Sequence, residues 1–305
     1  MTKRLFIFAA YDSDNIIDPT LIYYLKSLSG LGDIVFTMDN ELSENELNKV
    51  AKIPNVLRVS ALHHREYDFG SYKRGYIWAR DNNVLNNYDW VYLVNDSVLG
   101  PLFDLRHTLE TLESSGAELT GMTSCYQNQT PLHIQSWFIG LKQEIVKSKL
   151  FDDFMLSVVP ETEKKRIVFK YEVRLSQIFI NNGCNIKTIL GPVDCDYVYK
   201  DLYGVIKNKI PFIKKYSLKN FWLGDFLWSY LDEEEIVNIQ NYAKRQGLKL
   251  DNKSITQPYV QIYRLSLLGL PVFSIKYRYC YDCHQYKMYV LDKIPFLKII
   301  KKKKA

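Results

Sequence analysis

Apolar runs of strand length alternate with segments of helical period over the first two thirds of the chain. Each run is short and is bounded by polar, glycine or proline residues, which is typical of buried strands. The predicted strands are residues 5–10, 33–38, 55–59, 89–95, 118–123, 134–141 and 185–190. Strands and helices that alternate at these lengths form a parallel, doubly wound sheet, so the predicted fold class is α/β.

Helix signals fill the intervals between these strands. Asp18 and Pro19 open the first helix as an N-cap and a first-turn proline, and Gly30 ends it. Ser43 and Glu46 form a capping box at the start of the second helix. Further helices are predicted over residues 43–52, 70–86, 104–114 and 171–180.

The alternation ends near residue 196. Beyond it the pattern predicts a mainly helical C-terminal part, in which Asp232–Glu235 place negative charge at a helix amino terminus. Because no low-complexity linker or internal repeat intervenes, we expect this part to pack on the first. The predicted domains are residues 1–195, which would carry the catalytic site, and residues 196–305, which end in a basic tail.

Polar side chains follow the fourth predicted strand, whose apolar run Trp90–Val94 ends in Asn95, Asp96 and Ser97. The carboxyl end of a parallel strand is where an open α/β sheet binds its ligand. A single acid at such a position is more often a turn or capping residue. Other polar residues are predicted to converge on the same crevice, and these are Asp39, Arg65, Asp68, Lys73 and Glu172. Together they outline a nucleotide-sugar site.

The segment over residues 63–76 offers positive charge for such a ligand. Lys73 and Arg74 lie near the predicted amino terminus of the helix over residues 70–86. A helix amino terminus with free N–H groups and nearby cations can hold a diphosphate. The alternative is an ordinary capped helix, because the segment carries no Walker or dinucleotide fingerprint.

The charge balance argues against nucleic acid as a partner. Forty basic and 34 acidic residues leave a net charge of only +6, and much of the excess lies in the tail over residues 298–305. Lysines interleaved with isoleucines, after the apolar residues 294–297, fit a tail that rests on an anionic membrane surface. The alternative is a frayed, solvated terminus.

Five scattered cysteines, an odd number, indicate a reducing cytosol. Cys280-x-x-Cys283 with the adjacent His284 has no second ligand pair at matching spacing, so we expect no metal there. Apolar runs are too short for a membrane span, and Leu5–Ala10 after Lys3 and Arg4 is too short for a signal peptide. We therefore expect a cytoplasmic protein without a transmembrane helix.

Several motifs follow one another in a fixed order along the chain. They are residues 65–73 (REYDFGSYK), 94–97 (VNDS) with 100–101 (GP), 133–138 (HIQSWF) and 210–215 (IPFIKK). These motifs resemble those of the rhamnan-synthesis F-protein family of bacterial glycosyltransferases. The resemblance spans about residues 4–220 and is specific for the family, not for the sugar.

This resemblance implies a GT-A fold, which is a Rossmann-like domain whose strand-end Asp-x-Asp motif chelates a divalent metal, Mn²⁺ or Mg²⁺, on a nucleoside-diphosphate sugar. Here the motif is Asn95-Asp96-Ser97, in which only Asp96 is a carboxylate and so the one metal ligand. That departure leaves metal dependence open.

The resemblance also assigns chemistry to three further residues. Glu172 resembles the acid that serves as base in many inverting GT-A enzymes, and would take the proton of the acceptor hydroxyl; otherwise it is a buried helix cap. His133 either lines the acceptor site or is a satisfied core histidine. Trp137 either stacks on a sugar ring or belongs to the core.

The leading hypothesis is a glycosyltransferase that adds a hexose or deoxyhexose to a lipid-linked glycan acceptor at the inner face of the plasma membrane. One alternative is a carbohydrate-binding or assembly protein that keeps the fold without the chemistry. Another is a sugar-phosphate transferase. The donor sugar, base, linkage and acceptor depend on loops that the sequence does not place.

Overall fold

A computed structural model of the chain describes most of its residues. The described ranges are 2–127, 130–219, 228–248, 260–267, 270–279, 283–291 and 294–302. The chain divides into two compact units, one of residues 1–217 and 237–242 and the other of residues 218–236 and 243–305. The predicted domain boundary after residue 195 stays a prediction.

The first unit is built on a mixed sheet. Its strands are β1 (Arg4–Ala10), β2 (Asp33–Met38), β3 (Val56–Ala61), β4 (Trp90–Asn95), β5 (Val98–Leu99), β6 (Leu119–Gln127), β7 (Thr130–Ile134), β8 (Phe138–Lys142), β9 (Ile186–Asp194) and β10 (Ile213–Lys214). Eight of them form one sheet in the order β3-β2-β1-β4-β8-β6-β7, with β9 paired to β6, while β5 pairs with β10.

Most pairings in the large sheet are parallel. β1 pairs in parallel with β2 and β4, β2 with β3, and β6 with β9. β8 runs antiparallel to β4 and β6, and β7 antiparallel to β6. A mixed α/β fold with a mostly parallel central sheet, as predicted, is therefore confirmed.

Helices follow most of these strands in the chain. They are α1 (Pro19–Ser29), α2 (Glu44–Ala51), α3 (Tyr67–Asp81), α4 (Arg106–Glu113), α5 (Gln143–Val146), α6 (Lys149–Leu156), α7 (Lys164–Ile167), α8 (Arg174–Asn181), α9 (Tyr197–Lys200), α10 (Leu202–Lys207) and α11 (Glu233–Arg245). A π-helical turn, Val168–Val173, joins α7 to α8, and short 3₁₀ turns occupy Val84–Asn87 and Lys215–Lys219. No helix in the described ranges is both long enough and apolar enough to cross a bilayer.

Both faces of the sheet are buried, which explains the near-continuous apolar runs of its strands. In β1, Leu5 and Ile7 belong to one hydrophobic cluster, whereas Phe6 and Phe8 belong to the other. All four side chains are fully buried. The predicted start of α1 is also observed, because the Asp18 side chain accepts a hydrogen bond from the backbone N–H of Thr20 at 2.9 Å.

One predicted strand is divided in the structure. The apolar run over residues 134–141 is interrupted, since β7 ends at Ile134 and β8 begins at Phe138. The sequence pattern does not show this break, because Trp137 lies in the connection but is still buried in the core, at 4% exposure. The break presents Gln135, Ser136 and Trp137 as a connection at the edge of a cavity.

The prediction of a mainly helical C-terminal part is wrong for the described residues between 260 and 302. These residues include β11 (Val260–Leu267), β12 (Leu270–Tyr279), β13 (Cys283–Val290) and β14 (Ile294–Lys302), which form an antiparallel sheet. Their β-branched and aromatic residues favour strands, a preference that outweighs the lack of a clear period in the sequence. Residues 298–302 of the basic tail lie in β14, and residues 303–305 and Cys280 lie outside the described residues.

Candidate active site

Asn95 organises the turn at the end of β4. Its side chain is 2% exposed. The amide Nδ2 donates to Asp68 Oδ2 at 2.9 Å, and Oδ1 accepts from the backbone N–H of Ser97 at 3.1 Å and from its hydroxyl at 2.6 Å. Asn95 thus fixes Asp68, on the first turn of α3, beside Ser97.

Lys214 brings a buried positive charge to the same turn. β10 pairs with β5 so that Lys214 lies opposite Val98. The ammonium Nζ is 2.9 Å from Ser97 Oγ and 4.9 Å from the centre of the Trp137 ring, and the residue is 7% exposed. An ammonium over an aromatic face and away from water is held by cation–π attraction. Lys214 is a site residue that reasoning from single strand ends misses, although it lies within the motif over residues 210–215.

A cavity of about 180 Å³ joins these groups. Its wall comes from the start of α3, the end of β4, the connection between β7 and β8, the π-helical turn and β10. The polar and aromatic side chains that line it include those of Tyr67, Asp68, Asn95, Ser97, Gln135, Ser136, Trp137, Glu172, Tyr199 and Lys214. Two carboxylates, an ammonium and aromatic rings therefore line one partly open cavity.

Glu172 lies on the π-helical turn, within a helical segment that begins at residue 164 and not, as predicted, at residue 171. Its Oε2 accepts hydrogen bonds from the backbone N–H of Ser136 at 2.8 Å and from the Ser136 hydroxyl. Oε1 lies 3.5 Å from His133 Nε2. Burial raises the pKa of Glu172, but the bonds from His133 and Ser136 outweigh it and hold the pKa below its ordinary value. Glu172 is therefore ionised at neutral pH.

His133 lies behind Glu172, on β7. It is 1% exposed. Its Nδ1 lies 2.8 Å from the carbonyl oxygen of Pro131, so Nδ1 carries the proton that this bond needs. Burial lowers the pKa of His133, but the nearby Glu172 and the Pro131 carbonyl raise it above its ordinary value. His133 is absent from the cavity lining, in contrast to Trp137.

Asp96 lies at the end of β4 but outside the lining of that cavity. Its Oδ2 is 3.4 Å from Lys215 Nζ, and the carboxylate accepts a hydrogen bond from the backbone of Tyr11. Burial raises the pKa of Asp96 more than Lys215 and Tyr11 lower it. Asp96 thus faces the loop that follows β1.

The remaining predicted site residues have structural partners. Asp39 is 7% exposed, and its Oδ1 accepts from the backbone N–H groups of His64 at 2.6 Å and Arg65 at 3.2 Å. Arg65 is exposed and lies on the loop between β3 and α3, outside the cavity lining. Lys73 Nζ lies 2.9 Å and Arg74 Nη1 2.7 Å from Glu66 Oε2. Glu66 therefore balances the two cations expected at the diphosphate, and Lys214 supplies the positive charge at the cavity.

Comparison with known proteins gives a family match. The family model for "Rhamnan synthesis protein F" matches residues 34–245. The uncharacterized protein y4gN of Sinorhizobium fredii is 20% identical over 67% of this chain and 52% of its own length. The virulence protein VirA of Vibrio anguillarum is 26% identical over 46% of this chain and 45% of its own. The chain thus spans about half the length of the curated relatives it matches.

Solved structures with a similar arrangement are distant in sequence. TarS of S. aureus, residues 1–349, is 13% identical, with a TM-score of 0.38 over 81% of this chain and 74% of that one. Core-mannan synthase A of Aspergillus fumigatus, in a form with Mn and GDP, is 10% identical, with a TM-score of 0.33 over 59% of this chain and 69% of that one.

Proposed function

The chain belongs to the rhamnan synthesis protein F family of glycosyltransferases, and on that premise we propose that it moves a sugar from a nucleoside-diphosphate sugar to a growing glycan of the bacterial surface. Membership confirms the resemblance seen in the motifs and the expected class of enzyme. Donor, acceptor, stereochemistry and metal dependence belong to the proposal.

The observation that carries the proposal is the placing of Glu172 and Lys214 around one cavity. In the transfer, the acceptor oxygen forms a bond to the anomeric carbon while the bond from that carbon to the diphosphate oxygen breaks. Glu172 accepts the proton of the acceptor hydroxyl, and the nucleoside diphosphate leaves. Lys214 stabilises the negative charge that develops on the departing oxygen, since a buried ammonium acts strongly in a low-dielectric site.

The state of Glu172 suits the role of base in one respect and limits it in another. A general base must be ionised, and the hydrogen bonds from Ser136 and His133 keep it so. Those hydrogen bonds also lower the basicity of Glu172. The hydrogen bonds from Ser136 and His133 must therefore weaken as Glu172 accepts the proton. An attack opposite the leaving group with Glu172 as base inverts the anomeric centre.

The carboxylate of Asp96 is a ligand of the type that divalent cations such as Mg²⁺ prefer. Mg²⁺ is usually held by one or two carboxylates together with substrate phosphates and water. Asp96 offers one carboxylate, whereas Asn95 Oδ1 already accepts two hydrogen bonds from Ser97. We propose that Asp96 would hold the cation and that the cation would neutralise diphosphate charge. Lys215, 3.4 Å from Asp96, then needs another partner, such as the diphosphate.

The site of action is proposed from β14. Ile294 and Leu297 are exposed there, at 58% and 45%, and lysines follow them in the chain. Exposed apolar residues next to lysines favour contact with an anionic lipid surface. A lipid-linked acceptor at the inner face of the plasma membrane is consistent with this arrangement.

The test is transfer or hydrolysis of a panel of nucleoside-diphosphate sugars by the full chain. Glu172→Gln should lower kcat by at least about a hundredfold, because general base catalysis contributes 10²–10⁴-fold. Asp96→Asn should weaken binding of the nucleoside diphosphate and reduce any dependence on Mn²⁺. Glu163→Gln, at an exposed position near Glu172 in the chain, is the matched control.

The outcomes separate the alternatives. Full activity in both variants would contradict the assignment of Glu172 and Asp96. Absence of nucleotide binding in calorimetry, with or without Mn²⁺, would favour a carbohydrate-binding or assembly protein, a reading motivated by the missing carboxylates at Asn95 and Ser97. If the mass of the acceptor increases by that of a phosphohexose, and not by that of a hexose, the enzyme is a sugar-phosphate transferase.

A further inference from the structure

Three side chains of types that can bind a metal ion lie close together beside Glu172, on or directly after neighbouring strands. Cys125 on β6 lies opposite His133 on β7, and Cys195 directly follows β9, which pairs with β6 on the other side. Cys125 Sγ lies 3.4 Å from His133 Nε2, and all three ligand atoms lie within 4.8 Å of one another. Residues far apart in the chain thus converge at one point of the sheet.

The imidazole of His133 is already oriented as a metal ligand. Its Nδ1–H donates to the Pro131 carbonyl, which leaves Nε2 facing Cys125 Sγ and Glu172 Oε1. A backbone carbonyl that fixes the far nitrogen is the usual support of a metal-bound histidine. Both neighbours of Nε2 are electron-rich, so the nitrogen needs either a proton or a metal ion between it and them.

We propose that Cys125, His133 and Cys195 bind one zinc ion through two thiolates and an imidazole. Thiolate sulfur and imidazole nitrogen together select zinc over the oxygen-seeking Mg²⁺ and Mn²⁺. Tetrahedral zinc with bonds of about 2.0–2.3 Å places its ligand atoms about 3.3–3.8 Å apart. The distance between Cys125 Sγ and His133 Nε2 falls in that range. The other ligand atoms are at most 4.8 Å apart, so they need to approach by only about an ångström.

The ion would tie β7, β6 and β9 together at the edge of the site. Cys125 is fully buried and Cys195 is partly exposed, so the ion would reach the cluster from the side of Cys195. His133 bound through Nε2 would no longer share a proton with Glu172, so the metal and the proposed base are linked. Zinc binding itself does not depend on the glycosyltransferase proposal.

The experiment is metal analysis of the full chain, purified under reducing conditions without chelator. We expect about one zinc per chain, retained through dialysis, and less than a tenth of that in Cys125→Ser and in Cys195→Ser. Cys184→Ser, which alters a thiol outside the cluster, should keep its zinc. Circular dichroism of each variant checks that it folds, and cobalt substitution of the unaltered chain should give the absorption of a tetrahedral thiolate site.

Three results would overturn the proposal. They are a chain without zinc that also fails to take up cobalt, a zinc content that survives in Cys125→Ser or in Cys195→Ser, and a Cys125–Cys195 disulfide in the freshly purified protein. None of these measurements uses a sugar donor. Failure of the zinc site and failure of the proposed transferase activity are therefore distinguishable.

Discussion

Lys214 Nζ lies 2.9 Å from Ser97 Oγ, although 117 positions separate the two residues in the chain. The contact joins the end of β4 to β10 and places a buried ammonium at the cavity in which we propose that the diphosphate leaves. Lys73 and Arg74, the cations that the sequence suggests for this role, are both paired with Glu66.

Substitution of Lys214 tests this role. Lys214→Met keeps an unbranched apolar side chain but removes the ammonium that lies over Trp137. We expect at least a tenfold loss of affinity for nucleoside diphosphate and a larger loss of kcat/KM, because charge on the leaving group grows in the transition state. Isothermal calorimetry and steady-state kinetics measure the two. Lys200→Met, at an exposed lysine paired with Asp196, is the control; an equal loss there would refute the role of Lys214.

His64 predicts how stability responds to acid. Burial, followed by the charge of Arg74, lowers the pKa of His64 from 6.5 to about 4 in the folded chain. Between these two pH values the unfolded chain therefore binds a proton at His64 that the folded chain does not bind. The free energy of unfolding falls as the pH drops from about 6.5 to about 4. At 1.36 kcal/mol for each pH unit, the loss approaches about 3 kcal/mol.

Substitution of His64 isolates this loss. His64→Asn keeps an acceptor for the backbone N–H of Glu66, which bonds to Nδ1 at 3.1 Å, and cannot be protonated. We expect the free energy of unfolding in urea to fall less steeply below pH 6.5 in this variant than in the unaltered chain, even if the variant is less stable at pH 7. His107→Asn, at an exposed histidine on α4, should keep the wild-type slope. Parallel slopes in all three proteins would exclude His64 as the source.

Gly140 tests the close packing of β8 against its neighbours. A Cβ added there would lie 2.6 Å from Tyr92 Cε1 and in contact with Thr120 Oγ1, both in the core. Gly140→Ala should cost about 1–3 kcal/mol, because an overfilled core must shift its backbone or side chains. Gly30→Ala, whose Cβ would lie 3.8 Å from the carbonyl oxygen of Ser27, should change stability little. Similar midpoints of urea unfolding for the two variants would contradict the packing described.

The ion pair of Arg4 and Glu113 predicts a further loss of stability. Both side chains are buried, at 5% and 7% exposure, with Arg4 Nη2 2.7 Å from Glu113 Oε2. The Tyr92 hydroxyl also donates to Glu113, at 2.8 Å. Glu113→Gln should destabilise the chain by about 3 kcal/mol, since it leaves a buried guanidinium without its counter-charge. Asp153→Asn removes the partner of the exposed Lys149 and should leave the unfolding midpoint almost unchanged.

Much of the first unit follows from local pattern. The run Leu5–Ala10 predicts β1 because both of its faces are buried, and Asp18 with Pro19 predicts α1 through its cap. The strand predicted over residues 134–141 is in fact divided, because Trp137 is buried although it lies in a connection. The C-terminal sheet differs from the helices predicted there. Its strands span eight to ten residues, but an incomplete alternation of apolar and polar residues is a weak signal for strands.

The sequence by itself determined the strand-helix alternation, the polar end of β4 and the motifs of the family, because each of these resides in neighbouring residues. Tertiary structure alone decided which of the candidate residues share a cavity. It placed Glu172 with Lys214, set Asp96 beside Lys215, and brought Cys125, His133 and Cys195 together. The reason is that these contacts depend on strand order and register, which join residues far apart in the chain and leave no trace in local hydrophobic period.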